Sequence, residues 1–166
     1  MSAQVSVRPV RPEDLPEILA LHARVFGPGR FARSAYRIRE GAPLFSRFCL
    51  ACFLDGQLVA AIRFTEATIG GQGDAVLLGP LAVEPRLAGQ GYGKRVITEG
   101  LQNVKTAGMR LVVLVGDEPY YARFGFRVVP PGRITLPGPV DPARFLVAEL
   151  APGALAGFQG MVAAAR

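Results

Sequence analysis

The sequence has no apolar run that approaches the roughly 18 to 20 residues needed to cross a bilayer, although half of its residues are hydrophobic. Gly, Pro or a charged residue interrupts each run, so a membrane helix is excluded and a soluble chain is expected. Cysteine is scarce, with Cys49 and Cys52 alone. Their Cys-x-x-Cys spacing suits a redox pair or half of a zinc site, but both fall in residues 48–54, Phe-Cys-Leu-Ala-Cys-Phe-Leu, which read as a buried strand. Residues three apart on a strand point to opposite faces, so the thiols do not meet. Histidine is scarcer still: only His22 is present, and a zinc site needs more ligands than these. No metal is expected, and the cysteines read as small buried hydrophobes. Behind the first residues there is no apolar segment following a basic start, so no signal peptide is read and a cytoplasmic location is expected.

What is present is positive charge, a formal +6. The basic residues are nearly all Arg and are scattered along the chain, with no clustered stripe, interleaved aromatics or DNA-reading motif. Nucleic acid is therefore not an expected partner, and neither is a membrane. A length of 166 residues fits one domain over 1–166, large enough to bury a core without staples. Repeats and linkers are absent.

Val5 and Val7 alternate with polar residues as a half-buried strand does, and Arg-Pro-Glu-Asp at 11–14 offers a helix start. Leu15, Ile18, Leu19 and His22 then share one helix face, and Gly27-Pro28-Gly29 ends it. A second helix is expected over about 30–40, with Phe31, Ala35 and Ile38 inward and Arg30, Arg33 and Arg37 on a solvated face. Residues 48–54 and 57–65 flank Asp55-Gly56 as a hairpin. A loop over 70–74 leads to a strand at 75–83, where Pro80 cannot donate to the ladder and so implies a bulge or a local splitting of the sheet. A helix over 93–107 buries Val96, Ile97, Leu101 and Val104, with Gly100 allowing close approach to the sheet. Residues 111–115 form a central strand, a short helix lies near 120–124, and strands at 127–129 and 145–150 complete the sheet. The fold class is α/β in the α+β mixed sense, with helices on both faces.

Chemistry concentrates where the strand ending at Val83 runs into Glu84-Pro-Arg-Leu-Ala-Gly-Gln-Gly-Tyr-Gly-Lys94 and a helix begins at once. Backbone N–H groups at a helix start converge on one point and carry the positive end of the helix dipole. Gly89, Gly91 and Gly93 let the backbone close around a diphosphate, and Lys94 and Arg95 add charge. The nucleotide-triphosphate loop needs Ser or Thr after Gly93-Lys94, where Arg95 stands. The dinucleotide fingerprint needs glycine at 94 and an acid closing the next strand, and it has neither. An unliganded tight turn is the plain alternative.

Arg86-x-x-Gly89-x-Gly91 resembles the Gln/Arg-x-x-Gly-x-Gly/Ala signature of the GNAT superfamily of N-acetyltransferases. Leu78-Gly-Pro-Leu-Ala-Val83 before it and Tyr120-Tyr-Ala-Arg-Phe-Gly-Phe126 after it are similar to the bacterial branch often called YhbS-like, as is the tail at 150–160. The resemblance implies a mixed, mostly antiparallel sheet of six to seven strands splayed at the fourth, and acetyl-CoA as acyl donor. It implies that Leu81, Ala82 and Val83 pair with the pantetheine arm. Arg86 and the turn of Ala88, Gly89, Gln90, Gly91, Tyr92, Gly93 and Lys94 would hold the pyrophosphate, and an N–H near Leu81 would receive the oxyanion.

Tyr121, four residues before Gly125, matches the family's general acid for the leaving thiolate, since phenol and thiol acidities ordinarily lie within about two pH units. Tyr120 points about 100° away on a helix. Where some members carry a glutamate base, this chain has Leu77, Leu78 and Gly79, so Glu66, Glu84, Asp117 or a water chain remain as alternatives. The implied function is acetyl transfer to a primary amine of a small molecule or protein, by a monomer or homodimer. A non-catalytic acyl-CoA-binding module is the alternative. The acceptor side is implied between the first two helices, where His22 reads as pocket lining or packing.

Overall fold

In the computed structural model, which describes residues 3–27, 38–40 and 42–165, β1 (Val5–Pro9) turns into α1 (Leu15–Phe26) through a short 3-10 turn, Pro12–Asp14. Asp14 makes this corner. Its carboxylate accepts from the Arg8 guanidinium at 2.7 and 2.8 Å and from the Arg11 N–H at 2.7 Å. The Arg8 hydrogen bond, above all, holds that carboxyl below the usual carboxylate range. Of the expected α1 face, Ile18 is buried with Leu21, whereas Leu19 is 56% exposed. Ile38 to Glu40 are helical and Ile38 is buried, as expected. The rest of the expected second helix, with Phe31, Ala35, Arg30, Arg33 and Arg37, lies outside the described residues.

The strands that follow are β2 (Leu50–Leu54), β3 (Gln57–Ile69), β4 (Gln72–Val83), β5 (Leu111–Val115), β6 (Arg127–Val128), β7 (Ile134–Thr135), β8 (Phe145–Glu149) and β9 (Gly160–Ala164). The spatial order β1-β2-β3-β4-β5-β8-β6 accounts for the seven expected strands, and β9 adds to β3 and to β7. Every neighbouring pair is antiparallel except β4–β5 and β7–β9. The expected loop at 70–74 is instead a tight turn. Gly70 and Gly71 both have positive φ, +57° and +85°, which is what a two-residue hairpin connection demands, so β3 and β4 continue to its edge. Gly70 also lies against the chain from the C-terminal side: a Cβ there would sit 1.9 Å from the Gln159 carbonyl oxygen.

The long helix α2 (Tyr92–Thr106) covers one sheet face, burying Val96, Ile97 and Val104 against Phe64, Val76 and Val112. On the other face α1 and the segment around Ile38 cover β2 to β5 together with Leu155 and Phe158. β2 begins at Leu50, two residues after the expected start, so Cys52 lies within it and packs under α2, whereas Cys49 precedes it and packs on the other face, both as free thiols. Among the described residues no helix is long and apolar enough to cross a membrane.

Gly100 is where α2 meets the sheet most closely. A Cβ there would lie 2.4 Å from the Phe64 ring, which is wholly buried. Gly100→Val is expected to cost about 2 to 3 kcal/mol through overpacking, measured as a lower denaturation midpoint. An unchanged midpoint would show that the ring moves aside freely.

Candidate active site

The site begins as a defect in β4. Ile62 pairs with Leu81 and Phe64 with Leu78, so Arg63 alone faces both Gly79 and Pro80. This is the bulge that Pro80 implies. β4 pairs with β5 only over Ala75–Leu111 to Leu77–Val113; beyond that the two parallel strands part. Hydrogen-bonding direction alternates along an antiparallel strand. Because the Glu84 N–H donates to the Val59 carbonyl, Glu84 and Ala82 direct their backbone groups at β3, and Leu81 and Val83 direct theirs into the gap beside β5. The register thus separates the three residues expected to pair with a ligand: Ala82 is engaged with β3, while Leu81 and Val83 face the opening.

The turn after β4 is a 3-10 segment, Pro85–Leu87, that carries Arg86 exposed. Two of its expected anion donors are already spent, since the Ala88 N–H reaches the Pro85 carbonyl and the Gln90 N–H the Leu87 carbonyl. Among the described residues no acceptor meets the N–H groups of Gly89, Gly91, Tyr92, Gly93 or Lys94. The first bond of α2 runs from Arg95 to Gly91. Gly89 and Gly91 have φ of +80° and +91°, a region that glycine enters without strain. No side chain caps the helix. The turn and the Lys94 and Arg95 side chains are exposed. The result is a cluster of oriented amides at the positive end of a 15-residue helix, suited to an anion.

Tyr121 closes the gap from the β5 side. The strand ends at Val115, and α3 (Glu118–Tyr121) starts after Asp117, whose carbonyl accepts the N–H groups of Tyr120 and Tyr121 at 3.1 Å. Gly116 admits the Tyr121 ring: a Cβ there would stand 2.6 Å from it. The glycine directly after an apolar strand was the sequence signal for this close approach, which sequence reasoning missed.

The two tyrosines meet edge to face at 5.0 Å and serve different sides. Tyr120 directs its hydroxyl to Gly93 at the start of α2, beside Val83 and Leu81, whereas Tyr121 lines a cavity with Leu81 and Val115. Burial pushes the Tyr121 phenol up to about 12; the nearby Tyr120 and Asp117 add to this and Arg144 opposes it. The phenol is therefore a weaker acid than its type suggests, and remains protonated at any physiological pH.

The cavity, about 270 Å³, lies between α1 and the splay. Ile18, Leu19, His22, Phe26, Leu44 and Phe45 wall it on one side, and Leu78 to Leu81 on the other. The carboxylates considered as bases stand outside its lining. Glu66 pairs with Arg47 at 3.1 Å, Glu84 with Arg24 at 2.8 Å and Asp117 with Arg144. His22 does line the cavity, and Arg39 and Arg63 join it. Neither arginine is visible from sequence spacing, because only the fold carries residues 39 and 63 to the bulge.

A gap in a parallel strand pair, an amide-lined helix start and a tyrosine at the junction form an arrangement for a thioester acyl donor. A family model described as an acetyltransferase (GNAT) domain matches residues 6–129, and the chain belongs to the GNAT acetyltransferase family. It is similar to the Escherichia coli N-acetyltransferase YhbS, 32% identical over 152 residues that cover 91% of this chain and 90% of that one. A crystal structure of the E. coli YhbS protein in complex with CoA matches with a TM-score of 0.83 at 30% identity, covering 99% of this chain and 92% of that one. A GNAT family acetyltransferase from Brucella melitensis in complex with acetyl-CoA matches with a TM-score of 0.72, also at 30% identity, over 98% of this chain and 96% of that one.

Proposed function

We propose that the chain transfers the acetyl group of acetyl-CoA to a primary amine by direct attack in a ternary complex. The observation that carries this is the nearness of three features: the unfilled amides at the start of α2, the Leu81 and Val83 backbone that faces the gap, and Tyr121, which lines the cavity together with Leu81. The extended pantetheine arm suits the free edge of β4 as an added strand, and the diphosphate suits the amides of Gly89 and residues 91–94.

An amine held in the cavity loses its ammonium proton to water, since Glu66, Glu84 and Asp117 are committed to arginines elsewhere; it then attacks the thioester carbonyl, and its nitrogen gives up a second proton to water as the C–N bond forms. The Leu81 N–H, pointing into the gap, stabilises the oxyanion. The C–S bond then breaks as the carbonyl re-forms, and Tyr121 donates to the departing thiolate. A phenol near 12 is weaker than an ordinary thiol near 8.5 by about 5 kcal/mol. Its role is thus a hydrogen bond that stabilises the thiolate, which takes its proton from water once CoA leaves, so the phenol ends the cycle protonated. Cys49 is not suited to act as a covalent relay: it is 2% exposed, and its sulfur accepts from the backbone N–H groups of Ser46 and Phe64.

The test is release of CoA thiol with a panel of amines. CoA binding measured calorimetrically with no transfer to any amine would instead make the site a sensor of acyl-CoA. The pH profile carries a further prediction. Because the competent phenol persists to about 12, kcat/KM for an alkylamine should rise as the ammonium deprotonates, toward about pH 10, with no falling limb before that point. A falling limb between pH 7 and 9 would assign the acid to a different group.

A further inference from the structure

Leu19 and Leu44 are large apolar side chains left in water, 56% and 67% exposed. Of the four such residues among those described, these two border one opening, the cavity that Leu81 and Tyr121 also line. Scattered singly, exposed leucines are ordinary; on the rim of a ligand cavity they carry its apolar wall out to the surface. Less exposed neighbours continue that wall: Leu15 and Ile18 from α1, and Phe45 beside Leu44. The polar side chains of the described lining are occupied within the protein. Cys49 Sγ accepts from the Ser46 and Phe64 N–H groups, Arg63 donates to the Pro43 carbonyl at 2.7 Å, and Arg39 and His22 are likewise engaged. Among the described lining residues there is no Asp or Glu.

A second ammonium carried into this cavity would lose water and meet no carboxylate of the described wall. A hydroxyl-rich body would leave its donors unpaired against leucine and phenylalanine. An apolar body is favoured by burial, in proportion to its area. Resting on the acetyl-transfer reading, we propose that the acceptor is a small primary monoamine whose body is an alkyl or arylalkyl group. Its nitrogen meets the thioester beside Leu81 and Tyr121, and its body lies along the α1 wall toward Leu19 and Leu44. The volume of about 270 Å³ sits near the lower end for small-molecule pockets, roughly 300 Å³, which suits one short chain or one ring. A longer acyl chain on the donor is the competing occupant. The rim favours the amine: α1 and α2 cover opposite faces of the sheet, so the opening at Leu19 and Leu44 is an entrance separate from the amides that hold the donor. A free acceptor needs such an entrance, and an acyl group tethered to CoA does not.

The experiment measures thiol release under saturating acetyl-CoA, with rates expressed per unprotonated amine. The acceptors are the straight-chain amines from ethylamine to hexylamine, phenethylamine, ethanolamine, spermidine and a lysine-containing peptide. Each added methylene is expected to raise kcat/KM about threefold to fourfold until the cavity is filled, with phenethylamine among the best acceptors and ethanolamine and spermidine far below hexylamine. Leu19→Ser and Leu44→Ser are each expected to lower the hexylamine-to-ethylamine ratio about threefold or more, with calorimetric CoA binding showing that each variant is folded. A flat series, or ethanolamine, spermidine or the lysine peptide as the best acceptor, would overturn the inference. So would faster release from hexanoyl-CoA than from acetyl-CoA with ethylamine as acceptor, which would give the wall to the acyl chain. A readout without turnover separates this inference from the transferase reading: ethylamine and hexylamine titrated into the CoA-loaded protein. Hexylamine binding that exceeds ethylamine binding about tenfold or more, and weakens in Leu44→Ser, supports the acceptor class even if nothing is acetylated. Absence of hexylamine binding at millimolar concentration overturns it.

Discussion

Tyr121→Phe is expected to bind acetyl-CoA as the unaltered protein does and to lose about two to four orders of magnitude in kcat, the range associated with a positioned general acid. The substitution removes one oxygen and leaves the ring. That ring packs against Phe124 and Phe126 at centroid distances of 6.5 and 5.8 Å and rests on Gly116, so the junction between β5 and α3 keeps its shape. What disappears is the donor that meets the thiolate. The loss should therefore fall on kcat, with KM for the amine little changed, and the variant should unfold at nearly the same denaturant concentration. Turnover within about threefold of the unaltered protein, well below the effect of a positioned acid, would leave Tyr121 as a packing residue. The raised phenol adds a second signature: acyl-donor analogues with better leaving thiols should rescue the variant, because they need less stabilisation as the C–S bond breaks.

Gly91→Glu should abolish CoA binding. Gly91 is the residue before α2, with φ of +91° and no atom within 4 Å of a built Cβ, so the objection to a side chain is not space. A glutamate there carries strain from the left-handed backbone and brings a carboxylate to the convergence point of the free amides, where a diphosphate sits under the proposed function. Gly91→Asn separates the two effects, since asparagine tolerates this backbone conformation and is neutral. It should keep most of the affinity, whereas Gly91→Glu should lose at least about a hundredfold, close to 3 kcal/mol. Titration calorimetry with CoA reads both. Equal, strong loss in the two variants would assign the effect to backbone strain, and equal retention would remove the turn from the diphosphate site.

Much of this site was legible in the sequence because its parts are local. A proline inside an apolar strand has to interrupt a ladder, and the bulge at Gly79 and Pro80 follows. Glycines at 89 and 91 before a helix, with Gly93 in its first turn, have to leave amides pointing outward. The details that differ come from bonds the turn makes with itself: Ala88 and Gln90 spend their N–H groups on Pro85 and Leu87, and spacing does not reveal that. Residues 70–74 read as a loop because Gly, Gln and Asp punctuate a chain, yet the paired positive φ of Gly70 and Gly71 makes a two-residue hairpin turn and leaves 72–74 in β4. Leu19 joins an apolar helix face by spacing, but the sheet beneath it opens into a cavity, which leaves it 56% exposed.

The sequence by itself determined seven of the nine strands in their chain order, the break at Pro80, the amide cluster at the start of α2 and the tyrosine that follows β5. Each depends on backbone chemistry within a few residues. Only the tertiary structure decided that Leu81 and Val83 face the gap while Ala82 faces β3. It alone brought Arg39 and Arg63 to the bulge beside Tyr121, held Glu66, Glu84 and Asp117 away with arginines, and buried the Tyr121 phenol enough to weaken it. Strand register, burial and the meeting of residues distant in the chain are properties of packing. The local pattern says which groups are available, and the assembled sheet and helices decide which of them share one small space.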